Sequence, residues 1–328
     1  MSEVIKINIE EMRNLISVEA DKVDELLMAN LTSEIHLINQ LGSYIIQGGG
    51  KRIRPLIALL SAKSLGYTGH QHIDIAAILE LVHTATLLHD DVVDSSKLRR
   101  GRQTANELWG SEASVLVGDF LYSRAFQMMV ALDNNKILGV LADATNVIAE
   151  GEVMQLLNCH DPEITELRYL VTIRNKTAKL FEAASGLGAV LAGEGEETTA
   201  AMSAYGMHIG TAFQLADDAL DYSSSPDKLG KNIGDDLSEG KPTLPLLYAM
   251  WHGTAGQADI IRKAIKTGGL DQLSSITEAI ESTNAISYTR KLAEEAAEKA
   301  LASIRDVPQS PYKDALESLV RFSFRRDS

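Results

Sequence analysis

An all-α fold is what this 328-residue chain predicts, on three observations. Apolar residues recur at three- and four-residue spacing along most of its length, the period of a buried helix face. Aromatic residues are only 5% of the chain, while Ala, Leu, Ile and Glu abound, a composition that favours helices over sheets. No stretch of six residues alternates apolar and polar side chains as a half-buried strand would.

In chain order, Val23, Leu26, Leu27, Leu31, Ile35, Ile38 and Leu41 form one long helical stripe. Residues 73–88 are apolar nearly all round, as in the central helix of a large bundle. Residues 115–132, 137–157, 176–191 and 200–220 read the same way. Ser310-Pro311 supplies a cap and a first-turn proline for a last helix. About a dozen helices follow from these periods. Breaks fall at "QGGGKRIRP" (47–55), "SSKLRRGRQT" (95–104), "AGEGEETT" (192–199) and "SSSPDKLGKNIGDDLSEGKPTLP" (223–245). The last is long for a loop in a compact domain, and such loops are usually functional or disordered. Its three lysines and its glycine hinges suggest a lid over 223–245 in a single domain spanning 1–328.

The net charge of −14 argues against nucleic acid as a partner. The one cysteine, Cys159, rules out an intrachain disulfide framework and a cysteine zinc site, and fits a reducing cytoplasm. The opening "MSEVIKINIEEMRNLI" has charges throughout and no apolar targeting core. The uncharged run 198–216 carries Ser203, Tyr205, His208, Thr211 and Gln214, so it reads as a buried helix, not a membrane span.

Two short segments concentrate negative charge. "HDDVVD" ends one apolar helix and "DDALD" ends another. Asp90 and Asp94 are four apart, which on a helix puts them on one face with Cβ atoms about 5–6 Å apart. Asp91 sits at the edge of that face. Asp217, Asp218 and Asp221 repeat the spacing. Negative charge at a helix C-terminus opposes the helix dipole, and like charges at i,i+4 cost roughly 0.2–0.5 kcal/mol more. Stability does not account for the pattern. A hard divalent cation does, since Mg²⁺ takes one or two carboxylates and fills its octahedron with water and phosphate oxygens. Fraying into solvent would explain one copy; it does not explain two with the same spacing, each closing an apolar helix.

Basic residues cluster nearby. Arg99, Arg100 and Arg102 follow the first triad; Lys51, Arg52 and Arg54 lie in a glycine-rich turn; Lys176 and Thr177 open a helix; Lys228, Lys231 and Lys241 lie in the long loop. Beside a magnesium–carboxylate cluster, such cations suit a doubly phosphorylated ligand. "GGGK" lacks the spacing of a phosphate-binding P-loop. His83 lies two turns before Asp90, where it could donate to a phosphate.

Together, "GGGKRIRP", "HDDVVDSSKLRRG", "KTAKLFEAA", "FQLADDALD" and "GKNIGDDLSEGKPTLPLL" resemble the trans-isoprenyl diphosphate synthases, in order from about 40 to 250. "GEVMQL" and "ASVLVGDFLYSRAFQMM" look most like the bacterial long-chain members. The resemblance implies an all-helical isoprenoid synthase fold, a homodimer, and two aspartate-rich helices facing each other across a central cavity. Asp90, Asp94 and Asp217 would hold up to three Mg²⁺ on the diphosphate of an allylic starter, with Asp91, Asp218 and Asp221 completing the acidic set. Arg99, Lys176, Thr177, Gln214 and Lys231 match the family's allylic diphosphate contacts, with Lys241 a weaker candidate. Lys51, Arg54, His83 and Arg100 match its isopentenyl diphosphate site. The product would be an all-trans polyprenyl diphosphate for a quinone side chain, released with transient membrane contact.

Short-chain family members tend to carry a large aromatic five residues before the first aspartate, or next to it. Ala85 and Thr86 stand there, so the resemblance implies a long product; its motifs point to C40, with C35 and C45 as the alternatives, since each step adds only one isoprene unit. Phe126, Met128 and Met129 are candidates for the floor of the tunnel. Ala219 replaces a bulkier residue common in the second motif. A di-iron bundle would need two Glu-x-x-His motifs, and only Glu80–His83 is present. A phosphohydrolase built on His89-Asp90 would want more histidines and leaves the second triad unexplained. A terpene cyclase has no use for a second diphosphate site, and a non-catalytic subunit would be expected to lose aspartates or arginines kept here.

Overall fold

The computed structural model describes residues 8–223 and 234–324. Among them the chain forms α1 (Ile9–Leu15), α2 (Ser17–Asn30), α3 (His36–Gln47), α4 (Ile53–Ser64), α5 (Gln71–Val93), a two-stranded hairpin of β1 (Leu98–Arg99) and β2 (Arg102–Gln103), α6 (Ala105–Trp109), α7 (Ser111–Ala131) and α8 (Asn135–Asn158). Then come α9 (Glu166–Ile173), a π-helical turn (Arg174–Ala178), α10 (Lys179–Ala192), α11 (Glu196–Leu220), α12 (Asp235–Ser238), α13 (Leu244–His252), α14 (Ala255–Thr267), α15 (Leu273–Ser282), α16 (Ala285–Ser303) and α17 (Pro311–Phe324). The fold is all-α, as the apolar periods predict. The helices beyond the expected dozen are mostly short pieces such as α1, α6 and α12.

The chain divides into two compact units. One holds Met1–Thr145, Leu180–Gly206 and Ser303–Leu319; the other holds Asn146–Lys179, Met207–Ala302 and Val320–Ser328. In the first, α5 is the axis. Every residue from 75 to 82 is buried, Glu80 included, and a helix that is apolar all round must be covered on all sides. Helices α2, α4 and α7 cover it. Gly188 of α10 lets that helix approach α4 closely: a Cβ there would sit 2.7 Å from Ala62 N. The core of the second unit gathers Tyr169, Ile173, Leu215, Leu244, Leu247, Ile261, Ile276 and Ile280. There α13 packs on α9, α14 and α15.

Two sequence expectations change in detail. The stripe from Val23 to Leu41 is two helices, not one. The chain turns at 31–35 because Asn39 closes on Ser33, its Oδ1 accepting from Ser33 N and its Nδ2 donating to Ser33 O, both at 2.8 Å. This side chain offers the backbone an alternative to the helix. The helix expected from 176 is preceded by the π-turn, continuous with α9. Ser310 caps α17 as read, its Oγ accepting from Lys313 N. Of the suggested lid, 224–233 lie outside the described residues, with Lys228 and Lys231. No helix among the described residues is long and apolar enough to cross a membrane.

Candidate active site

Helix α5 ends in the first aspartate motif, with Asp94 as its C-cap. Asp90 and Asp94 are half-buried, one turn apart. Asp91 turns the other way and is fully buried. Its Oδ1 accepts from Arg99 Nε at 2.9 Å and from Nη2 at 2.7 Å, while Oδ2 has no hydrogen-bond partner. Burial raises its pKa, opposed by Arg99. A step of one residue rotates the side chain by about 100°, so Asp91 does not share the face of Asp90. In the structure this member of the predicted metal set pairs with Arg99.

The hairpin after α5 has Arg100 and Gly101 at its tip, with φ of 53° and 73°. Positive φ at both central residues is what a two-residue hairpin with the right twist requires. For the non-glycine Arg100 this is a strained conformation of the kind that collects at functional sites. The tip brings Arg100 Nη1 onto the carbonyl of Gly49. Gly50, at φ 152°, a backbone conformation that side chains rarely adopt, lies against the Arg100 guanidinium, 2.7 Å from where a Cβ would stand. Arg52, also left-handed at φ 48°, precedes α4. Its guanidinium donates to buried Glu80 at 2.5 Å and to Ile46 O at 3.2 Å.

These elements enclose a cleft of roughly 540 Å³, its open mouth included. One side of α5 lines it with Glu80, His83, Thr84, Leu87 and Asp91; facing them are Arg52, Arg99, Arg100 and Arg102. His83, expected as a phosphate donor, stands beside Arg54, and as a neutral imidazole it has one N–H to donate and one nitrogen to accept. Arg54 Nη1 lies 3.1 Å from its Nε2, and a guanidinium can only donate, so Nε2 accepts. Burial, then Arg54 and the neighbouring arginines, push its pKa well below 6.5. The ring is therefore neutral and steadies Arg54, which also stacks 4.6 Å from the centre of the Phe181 ring. Lys51 is exposed on the turn before α4.

In the second unit the π-turn carries Lys176 and Thr177. Single π-turns within helices mark functional sites frequently. Lys176 Nζ pairs with Glu152 Oε2 at 2.5 Å. Gly151 makes this possible, since a Cβ there would lie 2.5 Å from Lys176 N. Thr177 Oγ1 donates to Gln214 Oε1 at 2.9 Å, Gln214 Nε2 donates to Asp218 Oδ1 at 2.8 Å, and Tyr169 OH donates to Asp218 Oδ2 at 2.5 Å. Asp218, like Asp91, is the inward-turned middle aspartate of its motif, 3% exposed. Burial and the nearby Asp236 raise its pKa. Asp217 is half-buried and Asp221 buried. Lys241 pairs with Glu239 two residues away. Lys231 lies outside the described residues.

Among the described residues no cluster of three or more acidic, histidine or cysteine side chains converges to hold a cation alone. Paired carboxylates such as Asp90 and Asp94 still fit a hard cation that draws its other oxygens from a diphosphate and water. Of the chain-length candidates, Ala85 is fully buried in α5 and Thr86 is half-buried, its hydroxyl donating to His83 O. Met129 is buried, Met128 half-buried, and Phe126 lies 5.7 Å from Tyr122 in an open recess with Ser123, Gln127 and Val130. Sequence reasoning missed Glu80, Glu152 and Tyr169, whose partners are 28, 24 and 49 residues away. Glu152 had a signal: it sits inside "GEVMQL".

The polyprenyl synthetase family model matches residues 35–283. Octaprenyl diphosphate synthase of Escherichia coli is 52% identical over 98% of this chain and 99% of its own length. All-trans-nonaprenyl-diphosphate synthase (geranyl-diphosphate specific) of Rhodobacter capsulatus is 46% identical over 93% of this chain and 94% of its own. Among solved structures, a polyprenyl synthase from Caulobacter crescentus, complexed with calcium and isoprenyl diphosphate, superposes with a TM-score of 0.94 at 42% identity, covering 98% of this chain and 99% of that one.

Proposed function

Because the chain belongs to the polyprenyl synthetase family, we propose that it joins isopentenyl diphosphate units head to tail onto an allylic diphosphate, with farnesyl diphosphate as starter. The product is an all-trans chain of eight isoprene units, C40, for a quinone tail. One observation carries the reading: a single turn of α5 lines an arginine cleft on one side and offers Asp90 and Asp94 on another. That pairing suits two diphosphates used together, one on cations and one on a metal. The stronger identity to an eight-unit synthase than to a nine-unit one supports C40.

In this reading Asp90, Asp94 and Asp217 hold Mg²⁺, and Asp221 stands in reserve at the end of its motif. Bound Mg²⁺, up to three ions, neutralises charge on the departing diphosphate. Arg99, Lys176, Thr177 and Gln214, with Lys231 and Lys241, orient the allylic diphosphate. Their cationic side chains also stabilise the charge that grows as its C1–O bond breaks. Lys51, Arg54 and Arg100 hold isopentenyl diphosphate so that its double bond meets the allylic cation, and His83 steadies Arg54. The proton lost from the new chain goes to the released diphosphate. No protein nucleophile is required.

We assign both compact units to one catalytic domain, and a second copy of the chain as partner. Support for the second copy is the apolar surface of α7, where Leu116 and Val130 are exposed and Val130 lines the Phe126 recess. Substrates are water-soluble and the C40 tail is not, which supports cytoplasmic synthesis with membrane contact at release. The test is incubation of the protein with farnesyl diphosphate, radiolabelled isopentenyl diphosphate and Mg²⁺, sizing the dephosphorylated products by reverse-phase chromatography. A single C40 polyprenol is expected. No elongation by a folded protein would overturn the reading.

A further inference from the structure

We propose that Arg102 is a further binding residue for the diphosphate in the arginine cleft, held ready on an aromatic platform formed by Tyr44 and Trp109. The inference rests on the proposed use of that cleft for isopentenyl diphosphate, and it adds a residue that the family resemblance leaves unassigned.

The charges lining the cleft decide which arginines can serve an incoming anion. Arg52 is paired with Glu80 and Arg99 with Asp91. Both pairs are largely buried and add little net charge for an anion in this cleft; the Arg99 Nη1 donors, outside its bonds to Asp91, are the ones assigned above to the allylic diphosphate. Among the described residues Arg100 makes no ion pair and donates to a carbonyl, that of Gly49. Arg102 has no hydrogen bond or ion pair among the described residues, and it is exposed at the mouth. The positive charge open to a ligand on this wall is therefore that of Arg100 and Arg102.

Arg102 is nevertheless not a loose surface side chain. In the hairpin register it stands directly opposite Arg99. Side chains directly opposed across an antiparallel pair share a face, and like charges there repel. Arg99 escapes by turning to Asp91. Arg102 lays its guanidinium over the Tyr44 ring, 4.1 Å from the centroid. Trp109 packs edge-on against the same ring at 5.1 Å, and the Tyr44 hydroxyl donates to Gln103 O at 2.8 Å. The platform is thus clamped to the strand that carries Arg102. A guanidinium stacked on a ring keeps its in-plane N–H groups free. That leaves a fork of donors at the cleft mouth, matched to phosphate oxygens, with little side-chain freedom left to lose on binding.

Direct binding tests this without turnover. Isopentenyl diphosphate is titrated calorimetrically into wild type, Arg102→Gln, Arg102→Lys and Tyr44→Leu, with no allylic substrate and no Mg²⁺. Loss of a charge-assisted contact should weaken binding about tenfold in Arg102→Gln. Arg102→Lys keeps the charge and should recover most of it. Tyr44→Leu should lose about threefold, the worth of an exposed cation–π contact. In steady state the Arg102→Gln change should fall on KM for isopentenyl diphosphate, with KM for the allylic substrate within about twofold of wild type. Wild-type binding by Arg102→Gln, or an equal rise in both KM values with a lowered Tm, overturns the assignment. A wild-type protein that binds isopentenyl diphosphate but does not elongate overturns the proposed reaction alone, and the titrations still decide on Arg102.

Discussion

Replacing Gly151 with alanine puts a single methyl group where backbone already lies. The added Cβ would stand 2.5 Å from Lys176 N, 2.8 Å from Asn175 C and 2.9 Å from Lys176 Cα. None of these atoms can swing aside as a flexible side chain could, so α8 and the π-turn must separate by about 1 Å to restore ordinary contact. Two energies oppose each other. Alanine improves the helix by about 1 kcal/mol over glycine, and overpacking costs about 1–3 kcal/mol. The net loss is then between about zero and 2 kcal/mol, a fall in Tm of a few degrees at most. Function should suffer more than stability. Lys176 sits on the displaced turn and its partner Glu152 follows Gly151 directly, and a misplacement of about 1 Å can cost up to a hundredfold in rate. Steady-state kinetics with the allylic substrate varied, beside a thermal melt, should show kcat/KM reduced about ten- to a hundredfold in a folded protein. Wild-type kcat/KM at unchanged Tm would refute the reasoning, because it would mean that the π-turn can move without consequence.

Three further outcomes follow from the same structure. Asp90→Asn should lower Mg²⁺-dependent turnover at least a hundredfold or so while circular dichroism and Tm stay near wild type; an active variant would remove Asp90 from the metal set. Ala85→Phe should shorten the product below C40 on chromatography, and unchanged length would remove Ala85 from the tunnel wall. His72 is 3% exposed with neither ring nitrogen hydrogen-bonded, and burial lowers its pKa below 6.5. The unfolded chain therefore binds this proton more readily, so its contribution to stability is full above pH 6.5 and is lost as pH falls below it. Denaturant midpoints between pH 7 and 5 should fall less steeply in His72→Leu than in wild type; identical slopes would mean that another group sets the dependence.

Helix existence was legible because the apolar period is written locally. So were the two aspartate motifs, whose spacing has no rationale in stability. The inward turn of Asp91 and Asp218 could have been read from the same geometry, since neighbours on a helix point about 100° apart. The break at 31–35 was not legible from apolar spacing, because it depends on one polar side chain, Asn39, closing on Ser33. Nor was the π-turn, which rests on a glycine far away in sequence permitting close approach. Partners such as Glu80 for Arg52 and Tyr169 for Asp218 are set by tertiary packing. A charged residue in the sequence shows that a partner is needed, not which one it has.

The bonds joining Thr177, Gln214, Asp218 and Tyr169 have a direction. In its ionised form Asp218 can only accept, and Tyr169 and the Gln214 amide nitrogen both point their hydrogens at it, bonds that favour that form while burial pushes its pKa up to about 7. The amide is thereby oriented with its carbonyl toward Thr177, and the one hydroxyl proton of Thr177 is committed to that carbonyl. What the hydroxyl turns outward is a lone pair. In this sense of the relay Thr177 meets the oxygens of a diphosphate through a bridging water or a cation, which its lone pair can hold, and not as a direct donor. Tyr169, itself buried, thus helps set the polarity of a group at the other end of the relay. Removing its hydroxyl would take away one of the bonds that hold Asp218 in the ionised form against burial; once protonated, the carboxyl could donate as well as accept, and the relay could run in either sense.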